Sequence, residues 1–203
     1  MPDSVDTGES LHDTSAMPAT ELPRKLLILD LDETLIYADE TPLSRPPDAE
    51  SGPYAVYLRP GLADFVDTVF EHFDVAVWTS SNALYADSVC RIVFGERVAA
   101  LRFVWSRDRC TSTRDFENDT WTHAKRLKKV RRIGYDLDRV LVVDDSPEKH
   151  TRNYGNLVQV LPFVGEPADD ELPRLVRYLE QLAGAANVRA IEKRGWRAQT
   201  GPS

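Results

Sequence analysis

Cysteine is nearly absent from this chain. Cys90 and Cys110 are the only two in 203 residues, so neither a disulfide framework nor a cysteine-based zinc site is available. Long apolar runs are missing too, and none approaches the ~20 residues of a membrane-spanning helix. Positive charge is in short supply: 25 Lys and Arg face 33 Asp and Glu, for a net charge of −8. That balance argues against a general nucleic-acid binder, whose phosphate contacts need a basic face. It leaves room for a phosphorylated substrate held by one or two local cations, or by a metal. The first 23 residues lack the basic start and apolar stretch of a signal peptide. Their acidic, small-residue composition predicts a disordered leader over 1–23, and the expected setting is cytoplasmic with no membrane partner.

What is present is an ordinary globular share of apolar residues, 42%, enough for one domain with a sizeable core. Lys25 to Leu29 reads as a strand buried on both faces. The Pro- and Ser-rich stretch from Glu40 to Pro53 reads as a loop, and "YAVYL" as a second strand ended by Arg59-Pro60-Gly61. "LADFVDTVFEHF" has helical spacing, with Leu62, Phe65, Val66, Val69 and Phe73 sharing a face. "DVAVWT" is a strand. The helix after it starts near Asn82 and stops at Gly95. "LRFVW" suits a strand, "SRDRCTSTRDFENDTW" turns or a small hairpin, and "HAKRLKKVRRIGYD" a partly helical basic run. "DRVLVVDD" repeats the plan of the first strand, "EKHTRNYG" is a short helix or turn, and "LVQVLPF" a last strand. In "DDELPRLVRYLEQLAGA", Leu172, Leu175, Val176, Leu179 and Leu182 fall on one helical face. Strands alternating with helices predict an open, mostly parallel α/β sheet of Rossmann-like plan, with helices on both faces and a small β insert. No large cap domain is expected. The domain is expected over 24–186 with the insert at about 99–121, followed by a C-terminal helix or tail over 187–203.

Three apolar strands end in chemistry. The first runs into Asp30 and Asp32, the second into Thr79, Ser80 and Ser81, and the third into Asp144 and Asp145. Each ending alone suits a turn or a helix cap. Their coincidence is informative, because ligands of open α/β sheets bind beyond the carboxyl ends of the strands. Four carboxylates brought together repel one another and call for a counter-ion. A hard divalent cation supplies it, and Mg²⁺ favours few carboxylates, several waters and a substrate phosphate. Thr79 and Ser80 are hydroxyl donors for phosphate oxygens. An aspartate beside a phosphate can attack it, and the reaction needs an acid for the leaving oxygen and a base for water. Asp32, two residues from Asp30, can reach the other side of the phosphoryl group. A lysine to neutralise transferring charge comes from Lys125, Lys128 or Lys129.

On "LDLDETL", "VYLRPGLADFV", "VAVWTSSNALYAD" and "DLDRVLVVDDSPEKH", the chain resembles a haloacid dehalogenase-superfamily phosphatase over about Lys25 to Leu182. More narrowly, it is similar to the small C-terminal-domain phosphatases, the NLI-interacting-factor-like family. The resemblance implies a phosphoric monoester hydrolase with Asp30 as nucleophile and Asp32 as acid/base. The carbonyl of Asp32 is then a Mg²⁺ ligand beside Asp30, Asp144 and Asp145. Thr34 resembles the residue that positions the acid, Thr79 the phosphate-binding hydroxyl and Lys128 the lysine of the third motif. A bulky substrate such as a phosphoprotein is expected. The alternatives are a non-catalytic receptor module on the same fold, or a phosphatase of a nucleotide, a nucleic-acid end or a small metabolite.

Two places depart from the family pattern. Asp145 stands where many relatives have Asn. The segment from Val104 to Trp121 is not a close match, and sets Trp105, Phe116 and Trp121 among Arg102, Arg107, Arg109 and Arg114. These residues form either a recognition surface or a packed hairpin with solvated arginines. His12, His72, His123 and His150 are scattered; His150 follows the Asp144 motif and has a place near the site as its alternative, but a surface or capping role is expected, and Glu33 is expected to be incidental.

Overall fold

The structure, a computed structural model, describes residues 23–115 and 120–201. The leader expected over 1–23 falls outside the described residues except for Pro23, as does Phe116. In chain order the first half comprises β1 (Lys25–Leu29), β2 (Ile36–Asp39), β3 (Ala49–Ser51), β4 (Tyr54–Leu58), α1 (Leu62–His72), β5 (Phe73–Trp78) and α2 (Ala83–Phe94). The second half comprises β6 (Val104–Trp105), β7 (Thr111–Asp115), β8 (Thr120–Ala124), α3 (Lys128–Arg132), β9 (Val140–Asp144), β10 (Leu157–Gln159) and α4 (Glu171–Ala183).

Five strands form the central sheet in the order β10-β9-β1-β5-β6, and every pairing is parallel. The period-two alternation of β1 divides the core. Leu27 and Leu29 join Val75, Val77, Leu141 and Val143 on one face, under α1, α2 and α4. Leu26 and Ile28 join Ala76, Trp78, Val140 and Val142 on the other, against Leu127, Val130, Trp105 and Cys110. This is the doubly covered α/β plan expected from the apolar strands. Helix α2 starts where Asn82 Oδ1 accepts from the Tyr85 N–H at 2.9 Å and ends at Gly95, whose φ of 54° favours glycine.

The register brings the chemistry together. Leu29 lies opposite Val77 on one side and Val143 on the other. Asp30, just past β1, and Asp144, the last residue of β9 and still paired with Gln159, therefore stand side by side, and Thr79 follows two residues after Val77.

The β additions are more extensive than the sequence suggests. The expected loop from Glu40 to Pro53 contains β3, because Ala49–Ser51 pairs antiparallel with β4 in a three-stranded sheet ordered β2-β4-β3. The region at 99–121 splits in two: β6 extends the central sheet, and β7 and β8 form an antiparallel hairpin reaching Ala124. Trp105 packs edge-on to Trp78 and stacks on Phe103, whereas Trp121 is 60% exposed. Of the two readings of the insert, packing therefore holds for Trp105 and exposure for Trp121. The segment expected as a C-terminal helix or tail instead makes two 3-10 turns, Val188–Ala190 and Trp196–Gln199. Val188 and Trp196 belong to the main core, so this segment is not peripheral.

Candidate active site

Asp30 is only 2% exposed. Its Oδ1 accepts from the Leu31 N–H at 2.9 Å, and its Oδ2 lies 2.8 Å from Lys125 Nζ and 3.7 Å from Lys149 Nζ. Asp144, buried at the end of β9, shares the same lysine at 2.6 Å. It also meets His150 Nε2 at 2.8 Å and accepts the Ser146 N–H at 2.9 Å. Against an ionised carboxylate, the Nε2 of His150 carries the proton.

The two carboxylates are not equivalent. Burial pushes the Asp30 carboxyl up to about 7, reinforced by the charge of Asp144 and opposed by Lys125 and Lys149. Burial acts on Asp144 in the same sense, but Lys125 and His150 outweigh it and hold that group well below the usual carboxylate range. Asp144 has more compensating partners, so it is the ionised member of the pair. Burial alone would lower Lys125, yet Asp30 and Asp144 raise it above the ordinary lysine range, and the same balance raises Lys149. Burial and Asp144 raise Asp145, opposed by Lys149 and by hydrogen bonds from the Ser146 hydroxyl, at 3.2 Å, and its own backbone N–H.

Carboxylate oxygens of Asp30, Asp144 and Asp145 all lie within 4.8 Å of one another. An all-oxygen donor set of this kind suits a hard divalent cation, and the elevated Asp30 and Asp145 carboxyls report the positive charge the cluster still needs. The carboxylate of Asp32 stands outside that trio. It is held by hydroxyls instead: Ser81 Oγ at 2.8 Å, Tyr85 Oη at 2.5 Å and Thr79 Oγ1 at 3.5 Å. Burial and the charge of Asp32 push Tyr85 far above the phenol range, so it stays a donor. The cleft in front has a volume of about 390 Å³ and is lined by Asp32, Ser80, Ser81, Tyr85, Arg107 and Lys149, among others. The Ser80 Oγ, shielded from solvent beside the Cys110 thiol, has no oxygen or nitrogen partner among the described residues and can meet a ligand oxygen. Thr79 Oγ1 accepts the Ser81 N–H at 3.0 Å, which fixes the turn between β5 and α2.

Three expectations from sequence are corrected by the geometry. The lysine in the site is Lys125, not Lys128, which is exposed at the start of α3. Thr34 does not hold the acid: its hydroxyl is buried without a partner among the described residues, and Asp32 is held from the turn after β5 and from α2. His150 takes the alternative place near the site and not the expected surface or capping role, since it is 1% exposed and bonded to Asp144. Glu33 also has a structural part. It is the one described non-glycine residue at positive φ (59°); its N–H donates to Ile36 O, and its carbonyl accepts from the Phe163 N–H, both at 2.7 Å.

Sequence reasoning placed Ser81 at the strand end without a role, and missed Tyr85, Lys149 and Arg59. The signal for Tyr85 was its place three residues after the Asn82 cap, one turn into the helix and so back over the strand end. Arg59, from the "LRPG" stretch, is a buried fork. Its Nε and Nη2 reach Asp169 at 2.8 Å each, and its Nη1 reaches the carbonyl of Thr34 at 2.9 Å. It thereby ties the loop behind Asp32 to the segment after β10.

The open α/β fold with no large cap and the strand-end carboxylates define a haloacid dehalogenase-type hydrolase fold. The chain belongs to the NLI interacting factor-like phosphatase family, whose model matches residues 25–189. It is 30% identical over 172 residues to the human carboxy-terminal domain RNA polymerase II polypeptide A small phosphatase 2, covering 81% of this chain and 59% of that protein. It is 29% identical over 186 residues to CTD small phosphatase-like protein 1 of Caenorhabditis elegans, covering 88% of this chain and 35% of that protein. The chain thus spans less than two thirds of the length of these curated relatives. The fold is shared with Fcp1, an essential RNA polymerase II CTD phosphatase, at a TM-score of 0.54 and 21% identity, covering 87% of this chain and 52% of that one.

Proposed function

We propose that the chain is a Mg²⁺-dependent phosphomonoesterase that forms an aspartyl phosphate on Asp30 and acts on a phosphorylated protein. Asp30 attacks phosphorus, the bond to the leaving oxygen breaks, and Asp32 donates a proton to that oxygen. Asp32 then takes a proton from the water that attacks the aspartyl phosphate, which releases inorganic phosphate and restores the Asp30 carboxylate. Lys125 and Lys149 neutralise charge on the phosphoryl group, and the hydroxyl of Ser80 is placed to donate to one of its oxygens. Asp30, Asp144 and Asp145 would hold Mg²⁺, with the Asp32 carbonyl as the further ligand the family resemblance implies. When bound, the ion would offset the negative charge of the carboxylates and the phosphoryl oxygens.

The carrying observation is one strand end that presents two carboxylates in opposite settings, Asp30 among cations and Asp32 among neutral hydroxyls. Those settings support different jobs for the two groups. The open cleft supports a bulky substrate, and the relatives named as C-terminal-domain phosphatases support a phosphoprotein. The buried free thiols of Cys90, pushed up to about 12 by burial, and Cys110 suit the reducing cytoplasm. Turnover of an aryl phosphate with Mg²⁺ tests the reading. Wild type should be active and Asp30→Asn inert; equal rates in the two would overturn it.

A further inference from the structure

The net charge is −8, yet one surface depression of about 190 Å³ is lined by Arg126, Lys128, Arg131 and Arg152, with Leu137 and Asn153 and no carboxylate. None of the four cationic side chains has a hydrogen-bond or ion-pair partner among the described residues. The acids flanking Leu137 are already engaged: Asp136 accepts from the Asp138 N–H at 3.0 Å, and Asp138 pairs with Arg189 at 3.5 Å. Arg126 carries the sharpest signal, because its Nε is shielded from solvent and has no acceptor among the described residues. A buried donor in that state is satisfied by an oxygen from outside the protein.

The depression is tied to the reaction centre. The Lys125 N–H donates to Lys149 O, and Asn153 Nδ2 donates to Lys125 O, both at 2.9 Å. This clamp turns Lys125 in toward Asp30 while its neighbour Arg126 lines the depression. Arg126 also lines a groove of about 400 Å³ with Trp121, His123, Glu148 and Lys149. Lys149 borders both that groove and the catalytic cleft. The groove thus shares Arg126 with the depression and Lys149 with the cleft, which gives an extended peptide a continuous path from one to the other.

We propose that this depression is a second anion subsite, and that the preferred substrate is a peptide bearing a further phosphate or a carboxylate cluster a few residues from the phosphate at Asp30. The proposal rests on the phosphatase reading of the cleft. A peptide fits better than a nucleic acid. The depression is lined by four cationic side chains on a protein of net charge −8, and the groove leading to it carries the carboxylate of Glu148 and the exposed indole of Trp121. Spaced charges interrupted by an apolar side chain match that sequence of contacts; a continuous polyanion does not.

The test compares phosphoserine peptides that differ only in their flanks: neutral, glutamate-rich, or carrying a second phosphoserine. At low salt the anionic flanks should raise kcat/KM about 10-fold, mainly through KM, the scale of one or two charge-assisted contacts. The triple variant Arg126→Gln/Arg131→Gln/Arg152→Gln should lose that preference while keeping its Tm and its aryl-phosphate turnover. Equal kcat/KM on all three peptides, in a protein that does turn over aryl phosphate, overturns the subsite and leaves the phosphatase reading standing. A triple variant that slows neutral and anionic peptides alike also overturns it. A 5′-phosphorylated oligonucleotide hydrolysed faster than the anionic peptides overturns it in favour of a nucleic-acid end. Peptide binding to Asp30→Asn, read by fluorescence anisotropy, keeps the two readings separate. Tighter binding of the glutamate-rich peptide, lost in the triple variant, supports the subsite even if no turnover is found.

Discussion

Asp30 and Asp32 are separated by a single residue, yet their surroundings have almost nothing in common. Asp30 is buried, touches the ammonium of Lys125 and lies 3.7 Å from that of Lys149. Asp32 faces the cleft and is held by the hydroxyls of Ser81 and Tyr85, with Thr79 beside it. The contrast comes from topology. Asp30 leaves β1 level with Asp144 and inherits the charges packed around β9, whereas Asp32 lies one turn further out, against the start of α2. A group shielded by fixed cations suits attack on an anion, and a group bound by neutral donors at the cleft wall suits proton exchange with a leaving oxygen and with water.

Exchanging each acid for its amide should give different failures. Asp30→Asn should lose about 10⁴-fold or more in kcat, the scale of removing a covalent nucleophile. Asp32→Asn should lose about 10²- to 10⁴-fold, the range of a general acid–base. With an aryl phosphate, whose leaving group needs little help, Asp32→Asn should also accumulate phosphorylated protein by intact mass. An adduct in Asp30→Asn, or its absence from Asp32→Asn, would break the assignment.

The cation set can be removed selectively. Lys125→Met leaves Asp30 and Asp144 facing each other, and should cost about 3–5 kcal/mol of stability in urea denaturation, partly restored by Mg²⁺. Lys128→Met should unfold like wild type. Similar losses in the two variants would mean that the lysine has been misassigned.

The hydroxyl set should yield more gently. Tyr85→Phe removes one donor from Asp32 and should lower kcat about 3- to 10-fold, equivalent to about 0.5–1.5 kcal/mol, with little change in KM. A pure KM effect would place Tyr85 in substrate binding instead.

The smallest expected signal is electrostatic. Folding raises the Asp30 pKa from 3.8 to about 7, so within that window the folded chain keeps a proton that the unfolded chain has released. The stability contributed by this group therefore falls as pH rises through the window. Asp144, with its lowered pKa, contributes stability that is lost only as pH falls below the usual carboxylate range. Mg²⁺ binds the ionised carboxylates, so its effect on Tm should be greater at about pH 8 than at about pH 5. A pH-independent effect would take the ion away from Asp30.

The strand ends were legible because β1, β5 and β9 are short apolar runs whose register admits little slippage, and Asp30, Asp32, Thr79, Asp144 and Asp145 follow them directly. The helices were legible from periodicity: α1 buries Leu62, Phe65, Val66 and Val69. The lysine was not, since Lys125, Lys128 and Lys129 are chemically alike and fall within five positions. Only the backbone ties to Lys149 and Asn153 decide which one turns inward. Tyr85 and Lys149 were hidden for a related reason: each reaches the site from a helix or turn whose direction depends on tertiary packing. β3 escaped notice because a three-residue strand in a Pro-rich stretch has no period to read.

The family match ends at residue 189, but the hydrophobic interior does not. Trp196 is 1% exposed and stacks on Tyr178 at a ring separation of 5.5 Å, and its indole N–H donates to Gln159 O at 2.8 Å. Arg197 pairs with Glu171, the first residue of α4. The smallest autonomous folding unit is therefore longer than the segment that kinship alone delimits. A fragment trimmed to residue 189 would expose one side of α4 and the edge of β10 at once. Such a fragment should fail by aggregation during purification, even though every residue of the proposed active site is still on it.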